Sequence, residues 1–201
     1  TSDNNTYVLS HLSHGNSNYA GTPFNTYHRL SSTNYFANVF LGKVDCEGNY
    51  LWHKVFGGSG GENSHSIGID AFDNVFVGMR VWNRGFHDTL VNIAGLAYER
   101  PVHFDNDTIM DPIPRNWGGV VLFDAPSAAH KTLALIKYNS EGQFQWLRMP
   151  QNDSLTILTN SAGDFGVHVE SNGNVPWLVA LGNGIHFDGL INVSGLENQQ
   201  Y

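Results

Sequence analysis

Internal repetition is the sequence feature that most constrains how this chain folds. Residues 40–52 (FLGKVDCEGNYLW) align without a gap on residues 134–146 (ALIKYNSEGQFQW), at an offset of 94. Residues 67–77 align on residues 167–177 at an offset of 100. A third pair of short blocks, Val102 to Asp105 and Ile185 to Asp188, follows in the same order. The chain is therefore built of repeated structural units.

Each repeated block has the pattern of a β-hairpin. A short run of strand-forming residues leads into a turn that contains Gly48 in the first copy and Gly142 in the second. Glycine adopts the positive φ that tight turns require. Alternation along the strand that follows places Trp52, and its counterpart Trp146, on one sheet face. We predict that these two tryptophans are equivalent core residues, buried between adjacent sheets.

The order strand, turn, strand, loop, strand, turn, strand predicts one four-stranded antiparallel sheet, the blade of a β-propeller. The expected fold class is all-β. We assign residues 1–37 to the end of a preceding blade plus a loop, and residues 38–132 to a blade with long insertions. Residues 133–201 are assigned to a second blade and the start of the next. A propeller ring needs four to eight blades, so we expect a larger propeller, completed by other parts of a longer precursor or by other copies.

Composition excludes some functions. The formal net charge of −8 disfavours nucleic acid and anionic lipid surfaces, both of which select cationic proteins. Cys46 is the only cysteine, so neither an intrachain disulfide nor a cysteine-rich zinc site can form. No apolar run reaches the roughly 18 residues of a membrane helix. The sequence starts at Thr1 and not at Met, and we interpret the chain as a portion of a longer, processed precursor.

Residues 38–78 resemble the SBBP β-propeller repeat. The shared features are a lysine strand, an Asp-x-x-Gly-Asn turn, a tryptophan, a Gly-Gly-x-Gly loop, and a strand ending in Asp before Asp-Asn-Val-Phe-Val. The resemblance is looser over residues 133–188. That family is common in secreted or surface-displayed proteins of Bacteroidota. It implies a non-catalytic scaffold or binding module, outside the cell, with a protein or glycan partner and no cofactor.

Aromatic residues in the long insertions are the candidate binding residues. Trp82, Tyr98 and Trp117 lie in or beside these insertions, outside the repeated blocks. Loop aromatics stack on sugar faces or anchor protein partners. The alternative is that they hold the insertions against the blade.

Two further groups of residues have candidate roles. Asp105, Asp107 and Asp111 carry the oxygen ligands that Ca²⁺ prefers, but they lack the spacing of a known calcium loop, which favours solvated carboxylates and no metal requirement. Asp followed by Thr or Ser and an apolar residue resembles the O-glycosylation signal of exported Bacteroidota proteins. This signal occurs at Thr89, Thr108 and Ser154.

Catalysis is the less favoured interpretation. Residues 57–61 fit Gly-x-Ser-x-Gly, but that nucleophile motif requires a following helix, and the sequence after it alternates like a strand. A propeller glycan hydrolase or lyase would need paired carboxylates, which no linear motif marks. A structural subunit of a multi-chain surface assembly is the other alternative.

Overall fold

The chain folds into β-strands throughout the part that can be described. The computed structural model describes residues 4–12, 17–19, 21–24, 26, 38–58, 62–83, 90–93, 96–99, 102–104, 109–110, 130–149, 163–181, 184–186 and 190–193. Within these ranges there are seventeen strands and no helix, so no helix there could span a membrane. The expected all-β fold class is confirmed. In chain order the strands are β1 (Thr6–Leu12), β2 (Ser17–Tyr19), β3 (Thr22–Phe24), β4 (Asn38–Val44), β5 (Tyr50–Phe56), β6 (Asn63–Ile69), β7 (Val75–Asn83), β8 (Leu90–Ile93), β9 (Leu96–Glu99), β10 (Val102–His103), β11 (Ile109–Met110), β12 (His130–Tyr138), β13 (Phe144–Arg148), β14 (Gly163–Val167), β15 (Trp177–Ala180), β16 (Gly184–His186) and β17 (Ile191–Val193).

Three antiparallel sheets form the body of the molecule. Sheet 1 has the strand order β1-β4-β5, and sheet 2 has the order β6-β7-β12-β13. Sheet 3 consists of β14 and β15. The remaining strands pair as the two-stranded ribbons β2–β3, β8–β9, β10–β11 and β16–β17. In sheets 1 and 2 the strands lie side by side in the order in which they occur along the chain, as in a propeller blade.

The grouping of strands differs from the one we predicted from the repeat. We expected β4, β5, β6 and β7 to form a single sheet, and that prediction is wrong because β5 closes sheet 1 while β6 opens sheet 2. We also expected Tyr7, Val8 and Leu9 to close a preceding blade. They lie in β1, which pairs with β4. The predicted domain boundaries follow the sequence repeat and stay predictions.

The offset of 94 residues is nevertheless preserved in the sheet register. Thr6 of β1 pairs with Val44, and Val75 of β7 pairs with Tyr138, which is 94 residues beyond Val44. Strand β1 therefore occupies in sheet 1 the position that β7 occupies in sheet 2. The sequence Asn5-Thr6-Tyr7-Val8 matches Asn74-Val75-Phe76-Val77, which explains why the two strands adopt the same place.

Four five-residue turns share one hydrogen-bonding scheme. In each turn the N–H of the first residue donates to the carbonyl of the fifth, and the N–H of the fourth donates to the carbonyl of the first. The fourth residue has positive φ, which favours glycine. The turns span residues 45–49, 70–74, 139–143 and 170–174, and their fourth residues are Gly48 (φ 85°), Asp73 (φ 61°), Gly142 (φ 76°) and Gly173 (φ 87°).

The turns and the long connections lie at opposite ends of sheet 2. Val75 pairs with both Ile69 and Tyr138, so turns 70–74 and 139–143 lie together at one end, which we call the hairpin end. Asn83 pairs with His130 at the other end, from which the connection between β7 and β12 departs. We call this the connection end.

The sheets pack face to face. Sheets 1 and 2 share the larger core, to which sheet 1 contributes Val39, Leu41 and Phe56. Sheet 2 and the β10 segment contribute Val75, Val77, Met79, Val81, Val102, Phe104, Ala134, Ile136 and Tyr138. The opposite face of sheet 2 packs on sheet 3 through Phe76, Leu135, Trp146, Val167, Val169, Val175 and Trp177. Sheet 2 is thus enclosed between its neighbours, as a propeller blade is.

The outer face of sheet 1 is covered by the β2–β3 ribbon. The ring of Phe40 lies 4.8 Å from Tyr19 and 4.9 Å from Phe24, centroid to centroid. His53 lies 5.1 Å from Phe24 and accepts or donates a 2.9 Å hydrogen bond with the Tyr50 hydroxyl. Phe40 and Phe24 are buried as a result. The ribbon therefore takes the place that a neighbouring sheet has elsewhere in the stack.

Candidate functional site

One of the aromatic residues nominated from the sequence, Trp82, lies at the connection end. Trp82 lies near the end of β7, where it pairs with Lys131, and Tyr98 lies in β9, where it pairs with Val91. The side chains of Trp82 and Tyr98 and the whole of Trp117 lie outside the described residues. The same holds for the carboxylates and hydroxyls nominated from the sequence, namely Asp105, Asp107, Asp111, Thr89, Thr108 and Ser154. Their roles stay predictions.

A cluster that we call the first module lies on the face of sheet 1 that meets sheet 2. It consists of Tyr7 from β1, Lys43 from β4 and Trp52 from β5. Lys43 pairs with both Tyr7 and Trp52 in the sheet register, so the three side chains project side by side from one face. The Lys43 ammonium lies 5.2 Å from the Tyr7 ring centroid, and the Tyr7 and Trp52 rings meet edge to face at 5.7 Å.

The first module binds a turn of sheet 2. Lys43 Nζ and Trp52 Nε1 each donate a 2.9 Å hydrogen bond to the carbonyl oxygen of Ser140. Gly142 of the same turn has no side chain and allows the Trp52 ring to approach closely. The Tyr7 hydroxyl donates a 2.8 Å bond to the carbonyl of Asp73. Both turns at the hairpin end of sheet 2 are thus held by side chains of sheet 1.

These contacts satisfy buried polar groups. Lys43 is only 4% exposed, and an ammonium in such a place requires hydrogen-bonding or charged partners. The pKa of Glu141, in the same turn, is held below its usual range by the Ser140 hydroxyl and, to a smaller extent, by Lys43. Burial, with Asp73, Glu141 and Asp70 adding repulsion, raises the pKa of the Tyr7 phenol well above its usual value. Tyr7 therefore remains a neutral donor.

Sheet 2 carries an equivalent cluster, the second module, on the face that meets sheet 3. Lys137 lies 5.0 Å from the Phe76 ring centroid, and the Phe76 and Trp146 rings are 5.8 Å apart. Lys137 pairs with Phe76 and with Trp146, as Lys43 pairs with Tyr7 and Trp52. The Lys137 ammonium lies 3.8 Å from an Asp70 carboxylate oxygen.

The predicted equivalence of Trp52 and Trp146 is therefore confirmed, since both occupy the same register position. Both rings lie between adjacent sheets, as predicted, but each is only partly buried. The physical reason is their place beside the hairpin end, where one part of each ring reaches solvent. Sequence reasoning also missed Tyr7, whose signal was the match of residues 5–8 to residues 74–77.

The two modules differ in what they bind. Trp52 donates its indole N–H to Ser140, whereas the indole N–H of Trp146 has no hydrogen-bond acceptor among the described residues. Around Trp146 the structure places the Arg148 guanidinium, 5.4 Å from the ring, and the apolar residues of sheet 3. The second module is thus built like the first but lacks a turn carbonyl.

Sheet 3 lies beside the second module. Its inner face packs on sheet 2, and Leu178 on its outer face is 67% exposed. Within the described ranges β15 pairs with β14, as β7, its counterpart in sheet 2, pairs with β6. Leu190 and Ile191, in the β16–β17 ribbon, are also exposed.

A buried polar cluster closes the Gly-rich loop at the connection end. The Asn38 amide donates to the carbonyl of Gly58 and to Glu62 Oε2, both at 3.1 Å. Gly57 forms an antiparallel bridge with His103, through bonds of 2.9 and 2.8 Å. Asn38 and Glu62 are fully buried. Because a buried carboxylate requires such partners, we interpret the cluster as structural.

The buried carboxylates among the described residues do not form an acid pair. Glu62 and Asp73 are the buried carboxylates there, and they lie beyond opposite ends of β6. Seven residues of strand separate them by about 20 Å, whereas glycan hydrolysis needs roughly 5–9.5 Å. The Gly-x-Ser-x-Gly segment leads into strand β6, not a helix. No group of three metal-ligating side chains occurs within the described ranges.

Comparison with known proteins gives one distant similarity. The chain is 26% identical over 126 residues, or 63% of its length, to an uncharacterized WD repeat-containing protein, L264, of Acanthamoeba polyphaga mimivirus. It spans only 8% of that protein. No protein-family profile matches the chain. The similarity agrees with a repeated, propeller-type architecture, and the resemblance to the SBBP repeat stays a prediction.

Proposed function

We propose that this chain is a non-catalytic scaffold and binding module, secreted or displayed at the cell surface, that recognises a protein or glycan partner. The observation that carries the proposal is the repeated docking of one sheet on the next. The first and second modules each place an aromatic ring, a lysine and a tryptophan in the same register positions, and each lies at an interface between sheets. Their function in the fold is to hold rigid sheets in a fixed stack.

A rigid stack of sheets holds its connecting loops in a fixed position, where they can bind a partner. The connection between β7 and β12 spans residues 84–129 and leaves from the connection end, away from all the turns that the modules hold. Insertions on a rigid scaffold are frequent binding surfaces. Trp82, Tyr98 and Trp117 are the side chains we propose for partner recognition. WD repeats in the distant viral relative support a propeller-type scaffold.

The test compares aromatic residues at the two ends. A variant with Trp82, Tyr98 and Trp117 all changed to Ala should lose binding to an array of surface glycans and to extracted surface proteins. Phe72→Ala is the matched control, because Phe72 is 82% exposed in a turn at the hairpin end. Retained binding in the triple variant, or loss in the control, would contradict the proposal.

The proposal that the protein is exported is tested separately, through its glycosylation. We propose Thr89, Thr108 and Ser154 as glycan acceptors, because a hydroxyl after Asp in a connecting segment accommodates a sugar without disturbing strand pairing. Intact mass of the protein from its native source should exceed that of the bare polypeptide. A mass equal to the polypeptide removes the glycosylation proposal but leaves the binding proposal untouched.

A further inference from the structure

We propose that Asn172 and Gly173 form a self-modification site, at which the backbone nitrogen of Gly173 attacks the Asn172 side-chain amide and releases ammonia. The site lies in turn 170–174, in the connection between β14 and β15. The product is a cyclic imide, which water opens to aspartate or isoaspartate. The reaction is independent of any partner bound at the connection end.

The third residue distinguishes this turn from the other three turns that share its hydrogen-bonding scheme. That position holds Glu47, Phe72 and Glu141 in the other turns. Here it holds Asn172, which combines a leaving amino group with the side-chain length that gives a five-membered ring. Gly173 follows, and its nitrogen is an unhindered nucleophile because glycine has no Cβ.

A hydrogen bond holds the Asn172 amide in the orientation that the attack requires. Its Oδ1 accepts a 2.9 Å hydrogen bond from the backbone N–H of Asn174. A side-chain oxygen bonded to the amide two residues on lies alongside the intervening peptide, which brings Cγ close to the Gly173 nitrogen. The same bond stabilises the negative charge that develops on Oδ1 during the attack. The Asn174 N–H is therefore an oxyanion donor for this reaction.

The turn is accessible and has room for the ring. Residues 171–174 are all exposed, so water reaches both the nucleophile and the imide. Gly173 has a φ of 87°, and a Cβ placed on it would meet no atom of a non-adjacent residue within 4 Å. The attack requires release of the 2.9 Å hydrogen bond from the Gly173 N–H to the carbonyl of Glu170. A solvent-exposed bond at the tip of a hairpin opens readily, because few contacts hold it.

The reaction balances with water as the other reactant. The Gly173 nitrogen loses its proton and bonds to Asn172 Cγ, and the bond from Cγ to Nδ2 breaks as ammonia leaves. Water then cleaves one of the two carbonyl–nitrogen bonds of the imide. Cleavage at Cγ gives aspartate, and cleavage at the backbone carbonyl gives isoaspartate, whose main chain is one methylene longer. The longer chain no longer fits the two backbone hydrogen bonds that close turn 170–174.

The test follows the folded protein during prolonged incubation in mildly alkaline buffer, where a larger share of the attacking nitrogen is deprotonated. Peptide mass analysis should show conversion of an amide into an acid at Asn172. A methyltransferase specific for isoaspartate should label the same peptide. Asn172→Gln is the matched control, because its longer side chain would have to form a six-membered ring, and its peptide should keep its mass.

Hydrogen exchange measures the effect of the modification on the turn. The backbone amides of Glu170 and Gly173 donate the two bonds of the turn, and in the isoaspartate form they should exchange roughly threefold faster or more. A freshly prepared Asn172→Asp variant has the added carboxylate without the longer main chain and should keep the slower exchange. Retention of the Asn172 amide in the folded protein, while the chain unfolded in urea loses it, would overturn the proposal. A mass gain that persists in Asn172→Gln would also overturn it, since another residue would then be the one that reacts.

Discussion

A methyl group on Gly142 would lie 2.8 Å from Cδ2 of Trp52, with two further ring carbons at 3.0 and 3.1 Å. Those distances are too short for carbon atoms. The turn of sheet 2 can therefore approach the tryptophan of sheet 1 only because its fourth residue lacks a side chain. The interface between the sheets depends on this one contact as well as on hydrogen bonds.

Gly142→Ala should destabilise the protein more than Gly48→Ala. Both glycines have positive φ, which costs an alanine about 1–2 kcal/mol. A Cβ on Gly48 would meet no atom within 4 Å, so that variant carries only the backbone cost. Gly142→Ala should lose about 1–3 kcal/mol more through overpacking. Urea unfolding of both variants measures the difference.

A double-mutant cycle isolates the contact. In a Trp52→Ala background the collision no longer exists, and Gly142→Ala should cost no more than Gly48→Ala. If the extra cost of Gly142→Ala persists without the indole ring, the contact with Trp52 is not its cause.

Trp52→Phe should cost more stability than Trp146→Phe. Both changes remove similar ring area, but only Trp52 donates an indole hydrogen bond within the described residues, to the carbonyl of Ser140. Loss of that bond should add about 1 kcal/mol. The difference in free energy of unfolding, measured by denaturant titration, tests this expectation. Equal losses would show that the Ser140 bond contributes nothing.

The sequence predicts the strands and turns of this molecule better than their assignment to sheets. The match of Trp52 to Trp146 locates two equivalent residues because the repeat preserves the strand register. It does not show where a sheet begins, since the same turn pattern closes both the β4–β5 and the β6–β7 hairpins. The Gly-rich residues 57–61 give no sign that β5 and β6 separate.

The contact between the first module and the turn of sheet 2 could not be predicted from the sequence, for another reason. The acceptor at the first module is a backbone carbonyl, so the identity of Ser140 carries no information about it. Ser140 aligns with Cys46 in the other turn, and the difference between their side chains leaves the backbone acceptor the same. The repeat aligns Lys43 with Lys137, but it does not show the backbone carbonyl to which Lys43 donates.

Gly57→Ala should be among the most damaging single changes at the connection end. Its φ is 139°, and an added Cβ would collide with the Asn38 amide and lie 2.6 Å from Glu62 Oε2. The change would therefore separate a buried carboxylate from its donor, with an expected cost of roughly 2–4 kcal/mol. Gly173→Ala, at positive φ in open space, is the control. Thermal unfolding that ranks the two variants equally would refute this account.

Acidification should weaken the packing of the β2–β3 ribbon on sheet 1. Burial, with a smaller contribution from Lys54, lowers the pKa of His53 in the folded state. Below about pH 6.5 the His53 imidazole is protonated to a greater extent in the unfolded chain than in the folded one. The stabilisation from neutral His53 is complete above that pH and is lost as the pH falls toward the lowered pKa. His53→Gln should reduce the decline in unfolding free energy between pH 7.5 and 5, and identical pH profiles would contradict this.

The aromatic covering on sheet 1 acts as a plug. Tyr19 and Phe24 fill the surface around Phe40, whose side chain is almost completely removed from solvent. A three-residue strand paired with another of the same length thus does for this face what a whole sheet does for the other, because three closely packed rings exclude water as well as a longer strand would.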